Sequence, residues 1–210
     1  MENNHNNLIA VISTQVESAM TGEGTGHDWQ HAQRVVKLAR FIATREGADI
    51  SIVTLAALLH DIADHKFHNG DREIGPRMAK EMILAAGGDN TIADQVSEIV
   101  QRVSFSGSGG KKNMDSIEGM CVQDADRLDA MGAIGIARAF AYGGSKGRAL
   151  YEAGNPDSSL THFDDKLLLL KDLMNTNTGR AIAEKRHIVL HNYKQQFLAE
   201  WNGTDYESLT

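Results

Sequence analysis

The feature that most constrains the fold is an apolar run, Ile50 to Leu59, which ends directly on His60 and Asp61. Apolar residues fill most positions of this run instead of forming one stripe, so we expect a helix that is buried nearly all round. A charged side chain at the end of a buried helix is costly unless it is paired or binds a metal. An isolated His-Asp dipeptide is usually a buried histidine held by a carboxylate, but the same two groups suit a divalent transition metal.

Most of the remaining chain also has helical periodicity. Predicted helices cover residues 8–20, 28–46, 76–86, 91–103, 117–131 with a helical continuation over 132–142, 163–174 and 179–201. The alternation of apolar and polar residues expected of β-strands is absent. The 210 residues include only 2 prolines and no linker rich in Pro, Gly or Ser. The sequence therefore predicts an all-α fold in a single domain, residues 1–210.

Two histidines lie on the core-facing side of the second predicted helix. Counting back from Val35 by four residues gives His31, and by four more gives His27, so both share the apolar stripe. Arg34 lies on the same side of the helix. A lone histidine on an apolar face is usually a packed core residue. Core packing explains a lone histidine on this face better than it explains two histidines and an arginine.

Three carboxylates, Asp124, Asp126 and Asp129, belong to another predicted helix. Val122 and Ala130 bracket Asp126 at a spacing of four residues, which places Asp126 on a side of low polarity. Asp124 lies about 200° round the helix from Asp126. We therefore expect Asp126 to be the inward-facing carboxylate.

Two imidazoles and two carboxylates from three helices form a candidate metal site: His31, His60, Asp61 and Asp126. This set suits one octahedral divalent ion with open positions for water and substrate. The mixture of ligands favours Mn²⁺, with Ni²⁺, Co²⁺, Fe²⁺ and Mg²⁺ as alternatives.

Charge and cysteine content exclude several classes of protein. The net charge of −7 argues against binding to nucleic-acid polymers or membrane surfaces, which are polyanionic. A small phosphate-bearing ligand held through a metal remains compatible with this charge. Cys121 is the only cysteine, and the N-terminal residues do not resemble a signal peptide. No apolar run approaches the length of a membrane span, so we expect a cytoplasmic protein.

Three segments, residues 27–35, 59–67 and 124–135, carry the residues described above in a fixed order. Their sequences are HDWQHAQRV, LHDIADHKF and DADRLDAMGAIG, and each resembles a motif of the HD-domain metal-dependent phosphohydrolase superfamily. The tail over residues 162–176 resembles a bacterial branch that includes nucleoside-triphosphate pyrophosphohydrolases. The similarity spans roughly residues 8 to 200.

The resemblance implies a compact multi-helix fold with a divalent metal site between core helices. It places the motif-bearing part at about residues 25–142, with C-terminal helices over residues 160–201 packed on it. Subfamilies with two or three metals have more histidines between the His-Asp pair and the last aspartate. Here only His65 and His68 lie in that interval, directly after the pair. We therefore expect one metal ion.

Four residues are candidates for contact with substrate. In related single-metal nucleotidases a carboxylate at the place of Asp64 prepares the attacking water, so Asp64 is our candidate catalytic acid or base. Its alternative is an ordinary loop carboxylate. We also expect Lys66 to be catalytic and, together with Arg34, to contact phosphate oxygens. Surface ion pairs are the alternative for both. His27 is a candidate contact to phosphate or to a metal ligand.

Residues near the motifs also have structural interpretations. Arg127 and Asp129 are expected to form a buried pair next to Asp126. Lys111 and Lys112 belong to a glycine-rich segment. Such a segment could close over a nucleotide, but the composition is more typical of a solvated loop.

The expected function is hydrolysis of (deoxy)nucleoside triphosphates to a monophosphate and pyrophosphate. A 5′-nucleotidase or a cyclic-nucleotide phosphodiesterase is the alternative, because metal and fold determine the reaction class but the pocket determines the substrate. A non-catalytic module that senses a nucleotide or a metal is a third hypothesis. Loss of a metal ligand would indicate it, and all four ligands are present. The expected partner is a small phosphorylated molecule, and the oligomeric state, a homodimer included, stays open.

Overall fold

The structure is a computed structural model that describes residues 2–20, 28–63, 73–103 and 114–206. Its α-helices are α1 (Glu2–Met20), α2 (Trp29–Glu46), α3 (Ile50–Leu59), α4 (Ile74–Ala85), α5 (Asn90–Val103), α6 (Ile117–Asp129), α7 (Gly132–Ser145), α8 (Thr161–Asp165) and α9 (Asn177–Asn202). A 3-10 helix covers Leu167–Leu173. These described ranges contain no β-strand, which confirms the predicted all-α class. None of the described helices is long and apolar enough to cross a bilayer.

The chain forms two compact units, residues 1–126 and residues 127–210. The first contains α1 to α5 and most of α6, and the second contains the end of α6 and the helices that follow. The single domain over residues 1–210 stays a prediction.

Helix α3 is the centre of the first unit and packs against α1, α2 and α5. Every residue from Ile52 to Leu59 is buried, as expected from the uninterrupted apolar run. Asp49 caps the start of the helix, because its carboxylate accepts hydrogen bonds from the backbone N–H groups of Ser51 and Ile52. The prediction of a helix buried nearly all round is confirmed.

Helix α2 is amphipathic and presents one buried stripe to its neighbour α3. Asp28 caps its start and Gly47 ends it with a φ of 75°, a left-handed conformation that glycine adopts without steric cost. The predicted bounds of this helix are confirmed to within one residue.

The second unit is built on an aromatic cluster. In this unit α9 packs against α7 and the 3-10 helix. Ring centroids lie 5.9–6.1 Å apart in five pairs formed among Phe140, Phe163, Tyr193 and Phe197. Offset and edge-to-face ring contacts at such distances stabilise a core.

Two predicted helices differ substantially from the structure, whereas most other predicted boundaries are within two residues of the observed ones. Helix α1 begins at Glu2 instead of residue 8. The helix predicted over residues 163–174 is in fact α8 followed by the 3-10 helix, with a break at Lys166, where φ is −140°. Leu167 and Leu170 are both buried. This spacing of three residues suits a 3-10 helix, in which residues three apart lie above one another.

Candidate metal centre

His31 lies in the first turn of α2 and is fully buried. Asp28 fixes this turn, because its carboxylate accepts a hydrogen bond of 2.8 Å from the His31 backbone N–H. The apolar stripe of α2 continues from His31 through Ala32 and Val35, so the imidazole is held on the packed side of the helix.

His60 and Asp61 follow directly after α3. The His60 ring is buried, and its Nδ1–H donates a hydrogen bond of 2.8 Å to the carbonyl oxygen of Ala57. A carbonyl oxygen can only accept, so Nδ1 carries a proton and Nε2 has the lone pair in the neutral ring. The backbone of α3 thereby fixes the tautomer that a metal ligand needs.

Four side chains converge on one point within the first unit. Nε2 of His31 and Nε2 of His60 lie 3.2 Å apart. Asp61 Oδ2 is 3.4 Å from His31 Nε2 and 3.3 Å from His60 Nε2. Asp126 Oδ1 is 3.5 Å and 3.8 Å from the same two nitrogens. The structure therefore brings together all four residues predicted as metal ligands.

The chemistry and spacing of these donors fit a divalent metal ion. Ligands that share an ion at bond lengths of about 2.0–2.2 Å lie roughly 3–3.6 Å from one another. Four of the five distances are in this range, and the fifth is 3.8 Å. Among the described residues, His31, His60 and Asp126 form a cluster that could hold a metal ion. Asp61 adds a second carboxylate within reach of both histidines.

The cluster also has a strong effect on the protonation of His60. Burial lowers the pKa of the His60 imidazole, but the negative charge and hydrogen bond of Asp61, with the charge of Asp126, outweigh burial and raise the pKa to about 9. In metal-free protein a proton on His60 therefore supplies positive charge between the carboxylates. A metal ion bound here has to displace that proton.

The solvent exposure of the donors is unequal. The His31 and His60 side chains are at most 1% exposed, whereas Asp61 is 17% and Asp126 is 31% exposed. The centre is thus closed on the histidine side and open on the carboxylate side. An open side of this kind allows water and a substrate to reach a bound metal.

The remaining predicted site residues are less well defined by the structure. Arg34 is half-buried on α2, three residues after His31. His27, Asp64 and Lys66 lie outside the described residues, so their proposed contacts stay predictions.

The burial of the two aspartates differs from the expectation that Asp126 is the inward-facing carboxylate. Asp124 is fully buried, while Asp126 is partly exposed. All five residues from Cys121 to Ala125 are buried, so this part of α6 is covered on every side and has no outward face. Asp126 nevertheless supplies the carboxylate that reaches the histidines.

Arg127 and Asp129, which the sequence suggests as a buried pair, each contact another part of the second unit. Asp129 Oδ2 forms an ion pair of 2.7 Å with Arg138 Nη1. Arg127 Nη1 donates a hydrogen bond of 2.5 Å to the carbonyl oxygen of Leu173. Sequence analysis missed both contacts and also missed the Ala57 carbonyl that orients His60. Only the last has a local signal, since a residue at the end of a helix lies near the carbonyl three positions earlier.

Known proteins resemble this chain over most of its length. Residues 28–131 match the family model of the HD domain. YpgQ of Bacillus subtilis (strain 168) is 44% identical over 198 residues, which cover 94% of this chain and 95% of YpgQ. The crystal structure of Bacillus subtilis YpgQ in complex with ADP has a TM-score of 0.80 at 41% identity, covering 94% of this chain and 96% of that one. An HD-superfamily hydrolase from Bacillus thuringiensis has a TM-score of 0.79 at 42% identity, covering 94% and 98%.

The protonation of His60 predicts how the stability of metal-free protein depends on pH. The folded pKa of about 9 exceeds the ordinary value of 6.5. The stabilising contribution is therefore fully present below about pH 6.5 and is lost as the pH rises through about 9. We expect the free energy of unfolding in EDTA to fall by about 3 kcal/mol over this range, measured by urea denaturation.

Two variants test the origin of this pH dependence. His60→Asn is expected to remove most of it, because the titrating group is gone. His191→Asn, which replaces an exposed histidine on α9, is expected to keep it. Stability of the unsubstituted protein that stays constant from pH 6 to pH 9.5 would contradict the proposed charge arrangement.

Proposed function

Because this chain belongs to the HD-domain family, we propose that it is a metal-dependent phosphohydrolase that converts (deoxy)nucleoside triphosphates to a monophosphate and pyrophosphate. Solved relatives named as HD-superfamily hydrolases support phosphohydrolase activity. The single observation that carries the proposal is the convergence of two imidazoles and two carboxylates within 3.8 Å at the end of α3.

A nucleotide is the proposed substrate class. The related YpgQ, 41% identical over 94% of this chain, was crystallised in complex with ADP. A nucleoside diphosphate and a triphosphate share the base, the sugar and a phosphate chain, so a pocket that fits one contains most of the contacts for the other. The net charge of −7 requires local positive charge to attract such an anion. A divalent ion and nearby basic side chains would supply it.

We assign four residues to the metal. His31 and His60 would donate Nε2 lone pairs, and Asp61 and Asp126 would donate carboxylate oxygens. When bound, a divalent ion, for which Mn²⁺ is our first candidate, would offset charge on phosphate oxygens and favour ionisation of water. The hydrogen bond from His60 to Ala57 keeps one imidazole oriented throughout. The burial of both histidines keeps bulk water away from that side of the centre.

Basic and acidic residues near the metal ligands complete the proposal. Asp64 follows Asp61 by three residues, and we assign it the proton transfer to or from the attacking water. Lys66 and Arg34 would hold phosphate oxygens, and His27 would contact phosphate or a metal ligand. Arg34 lies one helical turn after His31, so a phosphate near the metal is within reach of a long guanidinium side chain.

A product assay tests the proposed reaction. Protein loaded with Mn²⁺ is given deoxynucleoside triphosphates, monophosphates and cyclic nucleotides, and pyrophosphate and orthophosphate are measured separately. We expect monophosphate and pyrophosphate from the triphosphates, with loss of activity in EDTA and in His60→Ala. Orthophosphate from monophosphates would instead support a nucleotidase, and opening of a cyclic nucleotide would support a phosphodiesterase. No turnover by metal-loaded protein would favour a sensor.

The role of Asp64 leads to a separate prediction. Asp64→Ala is expected to retain stoichiometric Mn²⁺ but to lower kcat by about 10²–10⁴-fold, because it removes a proton-transfer group and no metal ligand. Asp172→Ala, at a position where the side chain is 76% exposed, serves as a matched control with unchanged kcat. If Asp64→Ala hydrolyses the substrate at the rate of the unsubstituted protein, Asp64 has no part in the reaction.

A further inference from the structure

His31 lies in the part of α2 where the backbone N–H groups have no partner within the helix. The N–H groups of the first turn of an α-helix lack a carbonyl oxygen one turn earlier. In α2 the helical pattern begins with Ala32, whose N–H donates a hydrogen bond of 3.1 Å to the carbonyl oxygen of Asp28. His31 precedes Ala32, so its N–H needs a partner from outside this pattern.

The side chain of Asp28 supplies that partner. Its Oδ1 accepts a hydrogen bond of 2.8 Å from the His31 backbone N–H. The Asp28 backbone is extended, with φ −86° and ψ 173°, as is typical of a residue that caps a helix. Asp28 thus binds two successive residues of the first turn, His31 through its carboxylate and Ala32 through its carbonyl oxygen.

The first turn of α2 determines where one metal ligand lies. His60 is held through its ring, which donates a hydrogen bond to the Ala57 carbonyl. Asp28 instead holds the backbone of His31, from which the ring extends to within 3.2 Å of His60 Nε2. Helix ends fray, and metal ligands have to be held within about 0.5 Å of their productive geometry. Unwinding of this turn would therefore remove His31 Nε2 from the cluster.

Helix α3 has a cap of the same kind at the end remote from the metal cluster. The Asp49 carboxylate accepts hydrogen bonds from the N–H groups of Ser51 and Ile52. Asp49 precedes His60 by eleven residues, whereas Asp28 precedes His31 by three. At the helical rise per residue, eleven residues correspond to about 16 Å. Fraying at Asp49 therefore leaves the metal ligands undisturbed.

We propose that Asp28 is a positioning residue for the metal ligand His31. By holding the His31 N–H, its carboxylate keeps the first turn of α2 helical and His31 Nε2 among the other donors. Asp28 acts through the backbone of His31, and both residues belong to the first compact unit, as do the other three ligands. This inference rests on the metal site of the proposed function, but not on the identity of the substrate.

Binding of Mn²⁺ tests the proposal without any measurement of activity. The dissociation constant is measured by titration of folded protein, with the electron paramagnetic resonance signal of free Mn²⁺ as the readout. Asp28→Ala is expected to weaken binding about 3–30-fold, because molecules with an unwound first turn lack one ligand. Asp49→Ala is the matched control. It also loses a helix cap and is expected to lower the free energy of unfolding, but to bind Mn²⁺ like the unsubstituted protein.

Three further variants separate the hydrogen bond of Asp28 from its charge. Asp28→Asn and Asp28→Ser lose the charge but cap a helix about as well as aspartate, so both are expected to bind Mn²⁺ within about 2-fold of the unsubstituted protein. Asp28→Glu keeps the charge on a longer side chain that is not among the favoured caps. It is expected to bind Mn²⁺ as weakly as Asp28→Ala, and it decides the test if Asp28→Ala does not fold.

Amide hydrogen exchange locates the effect in the chain. In metal-free protein the His31 amide is expected to exchange faster in Asp28→Ala, by a factor similar to the rise in the Mn²⁺ dissociation constant, because both report opening of the same turn. In Asp49→Ala the exchange of this amide is expected to be unchanged.

The outcomes distinguish this inference from the proposed function. An unchanged Mn²⁺ dissociation constant in folded Asp28→Ala and Asp28→Glu would overturn the positioning role, and so would Asp28→Asn that binds as weakly as Asp28→Ala. Weakened binding in Asp28→Ala with recovery in Asp28→Asn supports the role even if the product assay finds no pyrophosphate, in which case only the proposed reaction fails. Absence of Mn²⁺ binding by the unsubstituted protein would overturn both.

Discussion

Two imidazole nitrogens 3.2 Å apart, with two carboxylates beside them, place a strict electrostatic requirement on this protein. The hydrogen bond from His60 Nδ1 to Ala57 directs the Nε2 lone pair toward the His31 nitrogen and the carboxylates. Lone pairs and negative charges at these distances repel unless positive charge lies between them. A proton on His60 or a divalent ion satisfies this requirement. The buried helix α3 and the caps that fix its neighbours serve to hold the donors in place.

The sequence predicts those features of the metal cluster that depend on residues close together in the chain. The apolar run from Ile50 to Leu59 indicates a helix buried on all sides, and the structure buries Ile52 to Leu59 without a gap. His31 follows from the stripe that includes Val35, because residues four apart share a helix face. The sequence favours Asp126 over Asp124 as the carboxylate that faces the histidines, and in the structure Asp126 Oδ1 lies 3.5 Å from His31 Nε2, although Asp126 is the more exposed of the two.

The remaining features could not be predicted, because they depend on contacts between residues that are distant in the sequence. Periodicity assumes that a helix has an outward face, but α6 is covered on every side from Cys121 to Ala125. Asp129 pairs with Arg138 of the next helix, and the Leu128 carbonyl is bonded by Arg186, 58 residues away. No spacing rule connects such positions. The break at Lys166 similarly depends on tertiary packing, which favours a 3-10 helix over the continuous α-helix that composition indicates.

Anomalous X-ray scattering from crystals soaked in Mn²⁺ tests most directly whether the four donors share one ion. We predict a single anomalous peak at the manganese edge, about 2.0–2.3 Å from His31 Nε2, His60 Nε2 and a carboxylate oxygen of Asp61 and Asp126. Open positions around this peak should hold water. A peak that lies elsewhere, or full soaking without any peak at these side chains, would contradict the central claim.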